Sequence, residues 1–240
     1  HDVDVHDHHA VLRAAARHCK PARDLERVRG PLDILDHAAP YLGAGTKIGL
    51  DCTPKREGEQ AADPTSPLEP APENTEALAE PFLTTLTATP GVLDARILPE
   101  APGWALVRTD LTPDQTAPPG RGKRLLAALH ERIADLPPAH IPPYLIAVGS
   151  EVDLRAPAAL DTALFHWCAN FDPGRDTHIA PIGSLPDHIA AIAMFDATPK
   201  SPRPGAFAGT NPATAHHEPV RPWPPILSYD QPTQDLIARR

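Results

Sequence analysis

The sequence predicts an α/β fold built as two related layered domains, each a mostly parallel or mixed sheet flanked by helices, joined by a proline-rich linker. Three observations predict it. First, Pro21-Ala22-Arg23-Asp24, Leu35-Asp36-His37 and Asp51-Cys52-Thr53-Pro54-Lys55 return in the same order as Pro173-Gly174-Arg175-Asp176, Pro186-Asp187-His188 and Asp196-Ala197-Thr198-Pro199-Lys200. A further pair, Val3-Asp4-Val5 and Val152-Asp153-Leu154, precedes each set. The period is far too long for a solenoid, so one domain is read as present twice. Second, strand-like and helix-like apolar runs alternate along the chain, the pattern of layered α/β architecture. Third, 32 of 240 residues are proline, well above the ordinary share of about 5%, and they concentrate between and after the two sets. The expected organisation is a truncated first copy over 1–57, a linker over 58–75, a second, divergent copy over 76–200, and a tail over 201–240 ending in a short helix from about Pro232 to Arg240.

The first helix is expected to start at Asp7, whose carboxylate suits an N-cap, with Val11, Leu12, Ala15 and Ala16 at helical spacing. It must stop before Pro21, whose ring removes a donor and biases its predecessor away from helix. Arg23-Asp24 leads into an extended stretch. Gly43-Ala44-Gly45-Thr46-Lys47 reads as a turn and Ile48-Gly49-Leu50-Asp51 as a strand. The run REGEQAADPTSPLEPAPENT that follows is too polar and too rich in proline and acid to order a core.

Beyond it, a helix over Glu76 to Thr87 precedes strands at Val92 to Leu98 and Trp104 to Thr109, a hairpin or a neighbouring pair. Leu125, Leu126, Leu129 and Ile133 mark one face of a helix from Gly122 to Leu136. Tyr144 to Val148 is a continuous apolar run, as expected of a strand covered on both faces. A helix carrying Leu160, Ala163, Leu164, Trp167 and Cys168 follows, its Trp read as core or interface. Ile189 to Phe195 is too apolar for a surface element and delivers Asp196 to its far end. Trp223, Ile226 and Leu227 of the tail are expected to pack on the domain or on a second subunit.

A formal net charge of −9 argues against a broad attraction to phosphate backbones, so nucleic acid is not an expected partner. No run of roughly twenty apolar residues and no signal core is present, and a cytoplasmic protein is the expectation. Three cysteines, Cys19, Cys52 and Cys168, lack metal-type spacing and make no disulfide framework; two read as small core residues. The chain opens at His1 without an initiator methionine and reads as part of a longer protein.

Three groups of residues are candidates for chemistry. The opening HDVDVHDHH offers nitrogen and oxygen donors for a transition metal through His1, Asp4, His6 and His8, although no separate motif completes a site. Gly43, Gly45 and Lys47 form a loop that would let backbone donors approach an anion, but a strand follows where a helix is needed. The repeated charged residues Arg23, Asp24, Asp36, Asp51, Thr53 and Lys55, with Arg175, Asp176, Asp187, Asp196, Thr198 and Lys200, are read as structural framework. A pair kept in two diverged domains is more simply explained by a shared fold than by two shared active sites.

Asp4-Val5, the helix, Pro21-Ala22-Arg23-Asp24, Leu35-Asp36-His37-Ala38 and Lys47-Ile48-Gly49-Leu50-Asp51-Cys52-Thr53 closely resemble the C-terminal domain of UbiD-type decarboxylases. That family usually shows Asp-Ala-Thr in the last motif; the first set has Asp51-Cys52-Thr53 and the second keeps Asp196-Ala197-Thr198. The resemblance covers 1–60 strongly and 90–240 moderately, the latter including Arg221-Pro222-Trp223-Pro224. It implies a lyase that removes carbon dioxide from an aromatic or α,β-unsaturated acid with prenylated FMN and a divalent metal such as manganese. Branches of the family serve ubiquinone and menaquinone synthesis, and an added C-terminal copy resembles the menaquinone branch, whose substrate is a dihydroxynaphthoate. The resemblance places the flavin and metal ligands and the Glu-Arg-Glu catalytic set in a larger N-terminal domain. This chain is therefore expected to hold no catalytic residue and no cofactor, to serve closure over that missing domain, and to form a homo-oligomer. The alternative is a stand-alone duplicated module that binds a small anion at Gly43 to Lys47 or acts as a scaffold.

Overall fold

The computed structural model describes residues 3–55, 75–112, 120–182, 191–200 and 231–232. His1, the linker through residue 74, Pro186-Asp187-His188 with the candidate Asp187, and nearly all of the proline-rich tail lie outside the described residues.

The N-terminal segment opens with α1 (His8–His18). Asp7 caps it as expected, accepting from His9 N at 3.0 Å and Ala10 N at 3.1 Å. A single turn, α2 (Pro21–Asp24), begins on Pro21, because a proline at the first helical position sacrifices a donor that has no partner anyway. It runs into β1 (Leu25–Pro31), which pairs antiparallel with β2 (Ala44–Leu50), Leu25 opposite Leu50. The stretch expected to be a turn over 43–47 is mostly strand: only Gly43, at φ 73, supplies the left-handed bend, and β2 starts at the next residue.

The C-terminal segment contains α3 (Glu80–Thr87), β3 (Val92–Ile97), β4 (Trp104–Thr109), α4 (Arg121–Ile133), β5 (Tyr144–Val148), α5 (Ala159–Asn170), the turn α6 (Pro173–Asp176), β6 (Thr177–Pro181) and β7 (Ala191–Asp196). The helix expected from Glu76 starts later, at Glu80, since Pro81 fits only a first turn. The sheet order is β3-β4-β5-β7-β6. Its three central strands are parallel and both outer pairs antiparallel, so the sheet is mixed. Every residue of β5 and β7 is buried, which explains their unbroken apolar runs.

Each face of this sheet carries a core. One is covered by α3 and α4, with Phe82, Leu86, Leu126, Leu129 and Ile133 against Leu145, Ile192 and Met194. The other is shared between the two segments: Leu12, Ala15, Ala16 and Cys19 of α1 and its cap pack with Trp104, Tyr144, Phe195 and Leu160, while Leu25, Ile48 and Leu50 of the two-stranded sheet close over it. Two buried bonds fix α1 there, Trp104 Nε1 to Leu12 O and Tyr144 Oη to Cys19 O, both 2.9 Å. Gly103, at φ 87, lies so near that a Cβ on it would stand 2.6 Å from Ala16 Cβ. The two segments thus form one packed body along this face.

Among the described residues, no helix is long and apolar enough to cross a membrane.

Candidate functional site

The repeated charged residues build the same bonded frame twice. In the N-terminal segment, Asp24 accepts from Arg23 Nε at 2.6 Å, Arg23 Nη2 at 2.7 Å and Lys20 N at 2.8 Å. Asp51 Oδ1 accepts from Thr53 Oγ1 at 2.5 Å and Thr53 N at 3.0 Å, and its Oδ2 stands 2.6 Å from Lys55 Nζ. The same ammonium donates to the carbonyls of Asp51 and Thr53 and sits 3.8 Å from Asp24 Oδ1. In the C-terminal segment, Asp176 accepts from Arg175 Nε at 2.8 Å, Arg175 Nη2 at 2.7 Å and Asp172 N at 2.8 Å. Asp196 Oδ1 accepts from Thr198 Oγ1 at 2.5 Å and Thr198 N at 3.0 Å. Lys200 Nζ bridges Asp196 Oδ1 at 3.1 Å and Asp176 Oδ1 at 3.8 Å and caps the carbonyls of Asp196 and Thr198. In each case a single turn stapled by its own Arg–Asp pair is tied through a lysine to the end of the strand that lies beside it. Lys55 holds the Asp51 carboxyl down at about 2, helped by Thr53. Burial pushes the Asp176 carboxyl up, against the pull of Lys200 and Arg175.

The two frames face each other crosswise. The turn α2 rests on β6 and β7, and α6 rests on β1 and β2. Asp172, the N-cap of α6, holds Gly174 N and Arg175 N with Oδ1 and reaches across with Oδ2 to Thr46 N at 3.0 Å. Close approach here requires glycine on both sides. A Cβ on Gly45 would meet Asp172 Oδ2 at 2.8 Å and Leu32 Cδ1 at 2.7 Å, and one on Gly174 would overlap Thr46 Oγ1. The candidate anion loop at Gly43, Gly45 and Lys47 therefore presents its Thr46 donor to a carboxylate of this same chain. Lys47 Nζ lies 2.6 Å from Asp36 Oδ2.

The metal candidates separate. Asp4 uses its carboxylate to accept from His6 N at 2.9 Å, an exposed local turn. His8 instead joins His9 and Asp161, three donors whose ligand atoms lie within 4.8 Å of one another. Their existing bond is His8 Nε2 to Asp161 Oδ1 at 2.9 Å, between two exposed side chains. His8 and His9 stand on the first turn of α1 and Asp161 on the first turn of α5, and the partial positive charge of helix N-termini opposes a cation. Neither this group nor the glycine loop offers a built site for a flavin phosphate with its metal: the first is an exposed pair already bonded between His8 and Asp161, and the second already holds Asp172.

Sequence reasoning missed Asp172 and Gly122. Asp172 carried a signal, an Asp directly before Pro173-Gly174, which is an N-cap pattern. Gly122 carried none. It is the second residue of α4, and a Cβ there would fall on the Asp196 carboxylate, so the start of this helix is laid directly over Asp196.

Residues 1–52 match the family model described as the 3-octaprenyl-4-hydroxybenzoate carboxy-lyase C-terminal domain. Solved structures similar to this chain include the vanillic acid decarboxylase of Sedimentibacter hydroxybenzoicus in its open form, at 18% identity and a TM-score of 0.39, covering 68% of this chain and 31% of that one. The UbiD-class enzyme HmfF from Pelotomaculum thermopropionicum in complex with FMN is similar at 18% identity and a TM-score of 0.36, over 57% of this chain and 31% of that one. The apo 3,4-dihydroxybenzoic acid decarboxylase of Klebsiella pneumoniae is similar at 15% identity and a TM-score of 0.35, over 66% of this chain and 33% of that one. The chain spans about a third of the length of these proteins.

Proposed function

We propose that this chain is the C-terminal part of a UbiD-type carboxy-lyase acting on an aromatic acid, and that it serves closure and assembly rather than bond breaking. The observation that carries the reading is the family match over 1–52, the segment whose ion-pair frame recurs bond for bond in the C-terminal segment. In this reading the chain holds two copies of the same domain, the first incomplete. Prenylated FMN, its divalent metal and the acid–base residues belong to a part of the protein outside this chain. Decarboxylation through a cofactor adduct needs a cleft that excludes water, and a rigid domain swinging over the cofactor supplies it. Crosswise packing of the two frames makes this body stiff enough to move as a unit. We assign the whole protein to quinone biosynthesis, with a dihydroxynaphthoate as first substrate to test, and to a homo-oligomeric state.

The test is to express the full reading frame with a prenylated-FMN source and manganese and to measure carbon dioxide release from a panel of hydroxylated aromatic acids and a dihydroxynaphthoate. Release by the full protein, with no flavin bound by the 240-residue chain alone, is the expected result. Stoichiometric flavin on the isolated chain, or a flavin-loaded full protein inert on every acid, overturns the assignment.

A further inference from the structure

The two segments repeat one frame but differ in what covers it, and the difference is confined to one side. Val152, Leu154 and Ala180 are 0%, 1% and 2% exposed, whereas the matched Val3, Val5 and Val28 are 40%, 78% and 60% exposed. The side chain of Asp196 is 4% exposed and that of Asp51 is 53%. In the C-terminal segment the cover is a single stretch, the β3-β4-α4-β5 unit from Val92 to Val148. Its hairpin lies over the loop beside Val152, with Arg108 Nε to Ser150 O at 3.0 Å and Arg96 Nη1 to Leu154 O at 3.4 Å. Its helix begins on Asp196. Its last strand runs parallel to β7, with Ala197 N bonded to Ala147 O at 2.8 Å.

The strands of the N-terminal segment are matched in register, Leu25 opposite Leu50 as Thr177 is opposite Phe195. This makes β1 the counterpart of the outer strand β6, and β2 the counterpart of the interior strand β7. Their sequences agree with those places. Leu-Glu-Arg-Val-Arg-Gly-Pro is charged and ends in proline, as sheet edges are when they must not pair further. Ala-Gly-Thr-Lys-Ile-Gly-Leu has one charge and no proline. Among the described residues, β2 nevertheless pairs with β1 alone. Its outer face is also bare: a Cβ on Gly49 would meet nothing within 4 Å, while the matched Met194 is fully buried on the face where α4 packs on β7.

We infer that the N-terminal segment is a docking face for a β-β-α-β unit of the same build as Val92–Val148, carried in the protein on the N-terminal side of Val3. Its last strand adds parallel to β2, its hairpin buries Val3 and Val5, and its helix N-terminus stands over the Asp51 carboxylate, where the helix dipole favours an anion. The order follows from the second set, in which this unit immediately precedes Val152. The inference rests on the reading of this chain as part of a longer protein, but it requires neither flavin nor decarboxylation.

The test compares amide exchange in the 240-residue chain and in the full-length protein by mass spectrometry, without cofactor or substrate. In the chain alone, peptides spanning Ala44–Leu50 should exchange at least tenfold faster than those spanning Ala191–Asp196; in the full-length protein the two should become comparable. A second readout uses Gly49→Cys in a Cys168→Ser background, labelled with a maleimide. Labelling should slow at least tenfold on going from the chain to the full-length protein. Equal β2 exchange and equal labelling in the two proteins, or a reading frame encoding no such unit before Val3, overturns the inference. Protection without decarboxylation leaves it standing and counts against the carboxy-lyase reading alone.

Discussion

Replacing Asp196 and Asp51 by asparagine, one at a time, separates the chemistry of the frame from its burial. The two carboxylates make the same bonds, each to the Thr at i+2 and the Lys at i+4, at 2.5 to 3.1 Å. An asparagine keeps the shape and an acceptor but removes the charge. At 196 the change leaves Lys200, itself largely buried, facing Asp176 at 3.8 Å as its remaining carboxylate, with carbonyl contacts at 2.8 and 2.9 Å. Removing one member of a buried pair costs about 3–5 kcal/mol, and the surviving Asp176 contact puts Asp196→Asn near about 3 kcal/mol. The carboxylate also lies beneath the first turn of α4, where an amide is the poorer partner for a helix N-terminus. Asp51 is half exposed, so water replaces its charge and the same substitution is expected to cost about 0.5 kcal/mol, within the range of surface ion pairs. Urea unfolding followed by tryptophan fluorescence reads the difference. With a slope of about 2 kcal/mol per molar urea, Asp196→Asn should lower the midpoint by about 1.5 M and Asp51→Asn by about 0.25 M. Equal losses from the two variants, or a loss at 196 below about 1 kcal/mol, would refute the claim that burial rather than bonding sets the worth of the frame.

Other consequences are equally direct. Gly122→Ala should destabilise the chain by about 1–3 kcal/mol in urea melts through overpacking, although helix propensity alone predicts a gain of about 1 kcal/mol, because its Cβ would fall on the Asp196 carboxylate. Tyr144→Phe deletes the buried bond to Cys19 O and should cost about 1–2 kcal/mol, with faster amide exchange in α1 as the local sign of its release from the sheet. His178 is held below the ordinary histidine value by burial, then by His130 and Lys123. The unfolded chain therefore takes up a proton more readily as pH falls through the ordinary histidine range, so stability is complete above that range and declines below it. Unfolding midpoints at pH 7.5 and 5.5 should differ by less in His178→Gln than in the parent.

Much of the local structure was legible from residue patterns alone. Asp7 announced a cap, Pro21 a helix stop, and the run from Tyr144 to Val148 a strand covered on both faces, because these are consequences of donors, ring geometry and side-chain period within a few residues. The late start of α3 was legible too, through Pro81, but was outweighed by the helical character of the residues before it. The joint between the segments was not. Asp172 bonding to Thr46 N, and Gly103 lying against Ala16, unite residues far apart in the chain, and no local pattern specifies which distant backbone a glycine must admit.

The sequence by itself determined that one set of charged residues occurs twice, in each case an Arg–Asp neighbour pair and an Asp-x-Thr-Pro-Lys run whose members lie close enough in the chain to satisfy one another. Only the tertiary structure decided that Asp196 of one set is buried and Asp51 of the other left half exposed. Burial is a property of what arrives from elsewhere in the chain. The stretch from Val92 to Val148 arrives over Asp196, Val152 and Leu154, and the described chain brings nothing equivalent over Asp51, Val3 and Val5.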